Sequence, residues 1–200
     1  MSILINALPI AAEINGHSYT LNADFRVIIN IICACDDAEL AMVEKQQVML
    51  GNLYEPPLQR EDFERGIQIA ADFIAGGPGK AEEKAEAVQA KYYSFEKDAD
   101  YIFAAFQQTH GIDLQAVEFM HWWKFLALFA DLGANTVFCN LISLRKRVAT
   151  GKATKEERQV AREMGDAFNV NPVSRSIEDI EAERRFFALI EANKEKKNAS

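Results

Sequence analysis

The chain is expected to be mainly α: a helical bundle of about seven helices with a small N-terminal β-hairpin. Three features predict it. Apolar residues recur at spacings of three and four along most of the chain, strict alternation is confined to one stretch before residue 22, and glycine, proline and capping residues cut the apolar segments to helical lengths. With 200 residues, 49% of them hydrophobic, there is ample material for a core.

The hairpin lies in "PIAAEINGHSYTL", where Asn15-Gly16 suits a two-residue type I′ turn because both central positions need positive φ. Pairing Ile14 with His17 then aligns Ala12 with Tyr19 and Ile10 with Leu21, so that Ile10, Ala12, Ile14, Tyr19 and Leu21 share one face. A two-stranded ribbon is marginal alone, so this face is expected to lie on the helices that follow, as a lid or arm.

From Asp24, "DFRVIINIICAC" is apolar almost all round a helix, which reads as buried, and Asp36 and Asp37 break it. A second helix is expected over 38–53, ending before Pro56 and Pro57. A third, over 60–75, carries the stripe Phe63, Ile67, Ala70 and Ile74 and stops at Gly76. Residues 76–92 change composition: one large aliphatic side chain, Val88, among alternating charges fits a solvated helix or a tether. The chain thus divides into residues 1–75 (hairpin and three helices), a charged linker over 76–92, a helical part over 93–193, and a frayed tail over 194–200.

In the second part, Ser94 is read as an N-cap, Phe95, Ala99, Ile102, Phe103 and Phe106 form a stripe, and Gly111 ends the helix. Asp113 is expected to cap the next helix, which runs to a C′ glycine at Gly133. A further helix covers 135–148. "TKEE" from Thr154 matches a capping box, and Ser176 opens the last helix, with acids near its start and lysines near its end.

A formal net charge of -8 sets the chain against polyanions, so nucleic acid is an unfavoured partner. No apolar run reaches membrane-spanning length and no signal peptide opens the sequence, which gives the expectation of a cytosolic protein with no membrane association. Cys33, Cys35 and Cys139 read as reduced, small core residues rather than a disulfide framework.

Chemistry is scarce. "HWWKF" (His121 to Phe125) lies in a helix with apolar side chains all round, so packing is favoured over a pocket. Glu118 and His121 have the Glu-x-x-His spacing of di-iron bundles, but the second half of that constellation is missing, and His121 reads as a hydrogen-bonded core or boundary residue. The glycines near Pro78 lack P-loop spacing. No catalytic, metal or cofactor-binding residue is assigned. Arg145, Lys146 and Arg147 form a basic cluster, read either as cations at a helix C-terminus or as a docking patch for an acidic partner.

Taken together, "YSFEKDADYIFAAFQQTHGIDL" and "HWWKFLALFADL" resemble the signature of a tailed-bacteriophage family named for gene product fifteen, and "LPIAAEINGHSYTLNADFRVIINI" is similar to the way its members begin. On this resemblance the signature and core residues are Tyr93, Phe95, Asp98, Tyr101, Ile102, Phe106, Gly111, His121, Trp122, Trp123, Lys124 and Phe125. It implies a non-enzymatic factor of tail morphogenesis in the host cytoplasm, generally taken as a tail-assembly chaperone. Its implied partners are the tape measure protein and the major tail tube protein. A structural tail component retained in the virion is the alternative.

Such a chaperone would cover the apolar stripes of a long helical partner. Surplus apolar faces are expected on the 38–53 helix and at Phe186, Phe187, Leu189 and Ile190. Self-association along these faces is equally compatible with the sequence.

Overall fold

A computed structural model describes residues 4–86 and 91–170. Strands β1 (Ala11–Ile14) and β2 (His17–Leu21) form the hairpin in the register expected, Ala12 opposite Tyr19 and Ile14 opposite His17. Asn15 and Gly16 take φ values of 51° and 85°, as a type I′ turn requires. Ile14, Tyr19 and Leu21 are buried on one face. Ile10 departs from expectation: it precedes the first strand and is 61% exposed, although its carbonyl still accepts from Leu21 N–H.

The hairpin is not a free arm. A third strand, β3 (Tyr54–Glu55), pairs antiparallel with β2, Leu21 facing Tyr54, to give a three-stranded sheet in the order β1-β2-β3. It is two residues long, below the length at which alternation is visible in a sequence.

Helix α1 (Phe25–Asp36) starts at Asp24, whose carboxylate accepts from Arg26 N–H, and it ends at the two aspartates as expected. Phe25, Ile28 and Ile31 are fully buried, Val27, Ile29, Ile32, Cys33 and Cys35 pack partly buried against the same core, and Asn30 alone is exposed, so the helix is covered nearly all round as expected. Helix α2 (Met42–Leu53) begins four residues later than expected, where the Glu44 carboxylate accepts from Ala41 N–H. Its buried residues, Met49, Leu50 and Leu53, occupy the last turns, and Val43 is its one large apolar side chain left well exposed.

The third expected helix is a 3₁₀ turn (Arg60–Asp62) followed by α3 (Phe63–Ala75), and its buried face is Gly66, Ala70 and Phe73, with Phe63 45% exposed. The face is rotated because Asp62 turns inward, and because Gly66 lets Leu58 pack directly on the helix. A Cβ at Gly66 would sit 2.3 Å from Leu58 Cδ1. A short helix, α4 (Lys80–Glu86), follows within the charged segment.

Helix α5 (Ala99–His110) begins after a turn over 95–98 and ends at Gly111 in the left-handed conformation. Its buried residues are Ile102, Ala105 and Phe106, while Ala99 is exposed. Helices α6 (Trp122–Ala130), α7 (Val137–Ala149) and α8 (Lys155–Met164) complete the described bundle, with a 3₁₀ turn (Gly165–Ala167) after α8. The capping box at Thr154 and Glu157 forms as expected. The helix expected from Ser176 lies outside the described residues.

The largest departure is at 113–132, where a helix starting at Asp113 is expected and only α6 forms. Arg26 explains it. Its guanidinium donates to the carbonyls of Leu114, Val117 and Glu118, which a continuing helix would have used four residues on. Met120 N–H turns to Asp24 Oδ2 at 3.2 Å, and Trp122 N–H to Ala23 O at 2.7 Å. With Phe25 N–H donating to Met120 O, residues 23–25 and 120–122 pair as an antiparallel bridge centred on Asp24 and His121. Gly133 is not the C′ residue, since Asp131 already closes α6.

One contiguous apolar cluster joins the sheet, α1, α2 and α3 to α5, α6 and the start of α7. The parts on either side of the charged segment therefore share a single core.

Candidate functional site

The aromatic signature lies at the centre of that core. Phe125 is fully buried and stacked between Phe25 and Phe106, each with ring centroids 4.9 Å away, and Trp122 and Phe129 stack beside it at 5.5 and 5.8 Å. Phe95 meets Trp122, Phe125 and Phe129, and Tyr93 packs on Phe95, Phe129 and Phe138. Burial pushes the Tyr93 hydroxyl above its ordinary pKa. Lys124 projects outward with Ala127 and Ala130, so α6 keeps one solvated edge. Phe119, outside the helix, is 59% exposed.

Both indoles have a defined polar task at the C-terminus of α3. Trp122 Nε1–H donates to Ile74 O at 2.9 Å and Trp123 Nε1–H to Phe73 O at 2.8 Å. Gly76, at φ 100°, allows a Schellman closure in which Gly77 N–H reaches Asp72 O and Gly76 N–H reaches Phe73 O. Ile74 O would have no donor from the chain ahead, because the residue four positions on is Pro78. Trp122 supplies that donor from another helix.

His121 is the N-cap of α6. Nδ1 accepts from Trp123 N–H at 3.0 Å, so the proton sits on Nε2, which donates to Pro9 O at 2.9 Å. With both nitrogens used and 4% exposure, the ring holds the chain before β1 against the start of α6. Glu118 precedes the helix and is exposed, so the Glu-x-x-His spacing does not place two ligands on one helical face. Among the described residues no group of three or more His, Cys, Asp or Glu side chains is placed to hold a metal ion.

Two buried carboxylates complete the polar framework. Asp62 accepts from Asn15 Nδ2 at 2.7 Å, His17 Nδ1 at 2.8 Å and the Tyr19 hydroxyl, which fastens the hairpin turn to the start of α3. The Tyr19 hydrogen bond, foremost, holds the Asp62 carboxyl below its ordinary pKa against the opposing effect of desolvation; Asn15 and His17 add to it. Desolvation first, and then the bond to Asp62, raises the Tyr19 hydroxyl.

Asp98 pairs with Arg145 in a bidentate contact, Nη1 to Oδ2 at 2.7 Å and Nη2 to Oδ1 at 2.9 Å. Arg145 also donates from Nε to Phe168 O at 2.9 Å, from Nη1 to Tyr92 O at 3.1 Å and from Nη2 to Ala167 O at 2.7 Å. All five of its donors are used.

The reading of Arg145 as part of an exposed docking patch is therefore corrected: it is 4% exposed and committed internally. Arg147 ties α7 to Glu157 of α8 at 2.9 Å from Nε, and of the three only Lys146 is exposed. A lone cation within an otherwise apolar helical stretch was the sequence signal for Arg26, and the spacing of Asp98 before a buried stripe gave none for its partner. Phe186, Phe187, Leu189 and Ile190 lie outside the described residues.

The thiols of Cys33 and Cys35 are partly buried, and desolvation raises both above the ordinary thiol pKa, the opposite of what a nucleophile needs. Cys139 lies against Leu132 O at 3.4 Å. No described helix is long and apolar enough to cross a membrane.

Comparison with protein families gives a match over residues 4–170 to the family described as Bacteriophage Gp15 protein. Comparisons with curated proteins and with solved structures gave no match.

Proposed function

The chain belongs to the Bacteriophage Gp15 protein family, and on that premise we propose that it is a non-catalytic tail morphogenesis factor acting in the host cytoplasm. In this reading it is a tail-assembly chaperone that binds the tape measure protein and helps to recruit tail tube subunits. Family membership across residues 4–170 is the observation that carries the reading.

The use of the polar side chains supports a scaffold role. His121, Asp62, Asp98, Arg145 and both indoles are spent on holding segments of the chain together. A chaperone for a long helical partner needs apolar side chains at its surface and a soluble remainder. Val43, Phe63, Phe119 and Val137 are exposed in the described part, against a formal net charge of -8. Phe186, Phe187, Leu189 and Ile190 are the side chains proposed to cover the partner's apolar stripe, in the manner of a helix laid in a groove.

The test is co-expression with the tape measure protein encoded by the same phage. Phe186→Ser with Phe187→Ser is expected to lower both the partner's solubility and its recovery in a pull-down. Unchanged recovery would remove these residues from the interface. Mass spectrometry of purified virions separates this reading from a structural component: a chaperone is absent from the finished particle, a structural subunit is present in fixed copy number.

A further inference from the structure

Residues 150–170 are held differently from the rest of the described chain. The apolar cluster of the body extends to Phe138, with Ile142 packed against it, and no later described residue joins it. Helix α8 buries only Ala161 and leaves Val160 exposed.

Its attachments are largely polar. Arg147 pairs with Glu157, Lys97 Nζ donates to Asn169 O at 3.0 Å, and Arg145 holds the carbonyls of Ala167 and Phe168. The Phe168 ring stands 6.0 Å from the Arg145 guanidinium carbon.

The connection to α7 is a defined joint. Gly151, at φ 72°, closes α7 with Gly151 N–H on Val148 O and Lys152 N–H on Arg147 O, and a Cβ there would meet nothing within 4 Å. An element with few apolar contacts and a ring of peripheral polar ones opens at lower free energy than the core it leans on.

We propose that α8 and the 3₁₀ turn after it form a latched arm, a single unit that swings from the body about Gly151 while the core stays folded, with Arg145 as the latch. Asp98 holds the guanidinium in place on the body side, so the latch is built before the arm closes on it. The arm engages Arg145 through the carbonyls of Ala167 and Phe168 and through the Phe168 ring, and the carbonyl bonds exchange for water when it opens.

Hydrogen exchange on the full chain tests the arm. Amides of 155–170 are expected to exchange together, with weak dependence on urea and less protection than those of α1, α5 and α6. Phe168→Ala with Glu157→Gln should accelerate that exchange about three- to tenfold and leave α5 and α6 unchanged. Phe168→Ala alone keeps the capping box and should act in the same direction.

Arm amides protected as strongly as the core, with the same urea dependence, would overturn the proposal, as would a variant that accelerates arm and core equally. Loss of partner recovery in the Phe186 and Phe187 variants bears on the proposed function alone and leaves the exchange pattern of the arm unaltered.

Discussion

The two tryptophans adjoin in sequence and donate to adjacent carbonyls, yet their removal should have unequal effects. In Trp122→Phe, the exchange of an indole for a phenyl ring at a site 1% exposed loses a few tens of Å² of apolar burial, about 1 kcal/mol at ~25 cal/mol per Å². It also strips Ile74 O of its donor, which adds ~1–3 kcal/mol for an acceptor left unpaired inside the protein. The sum is about 2–4 kcal/mol.

In Trp123→Phe the ring is only partly buried, and Phe73 O keeps the Gly76 N–H at 3.1 Å. There the cost is about 1 kcal/mol, the net worth of one hydrogen bond. Urea unfolding followed by far-ultraviolet circular dichroism measures both, and an unchanged slope against urea shows that the difference is one of native stability. Equal losses, or a larger loss at Trp123, would refute the assignment of Trp122 as the donor on which Ile74 O depends.

Two further outcomes follow from the buried ion pair and the hairpin clasp. Arg145→Met should destabilise by about 3–5 kcal/mol because it leaves Asp98 buried without its cation, whereas Lys146→Met, on the exposed side of the same helix, should stay within about 0.5 kcal/mol; denaturant unfolding of the pair distinguishes them, and similar values would return Arg145 to the surface. The folded-state pKa of Asp62 is lowered, so its contribution is present above the unfolded carboxyl value, about pH 4, and is lost as pH falls through the lower folded value. Tyr19→Phe removes the foremost cause of that lowering, and urea midpoints measured from pH 5 to pH 2 should fall less steeply in the variant than in the parent.

Local chemistry made much of this architecture legible in advance. Asn15-Gly16 fixes a turn and, through it, the strand register, because both residues accept positive φ and the side-chain period is two. Gly76, Gly111 and the Thr154 capping box end or start helices through bonds spanning a few residues, so sequence proximity is enough to see them. The aromatic content of 121–125 likewise marks the core, since rings of that size are seldom left in water.

What the chain order alone determined was therefore the mainly α class, the hairpin and its register, the helix boundaries at Asp36, Gly76, Gly111 and Thr154 but not those expected at Ser94, Asp113 and Gly133, and the family. Tertiary structure decided the rest: the unwinding of 113–121, the third strand at Tyr54–Glu55, and the fate of Arg145. Arg26 lies about ninety residues from the carbonyls it captures, and Asp98 lies 47 from Arg145. Helical periodicity reports which neighbours along the chain share a face. It carries no information about a distant cation that offers a carbonyl a better bond than the helix would.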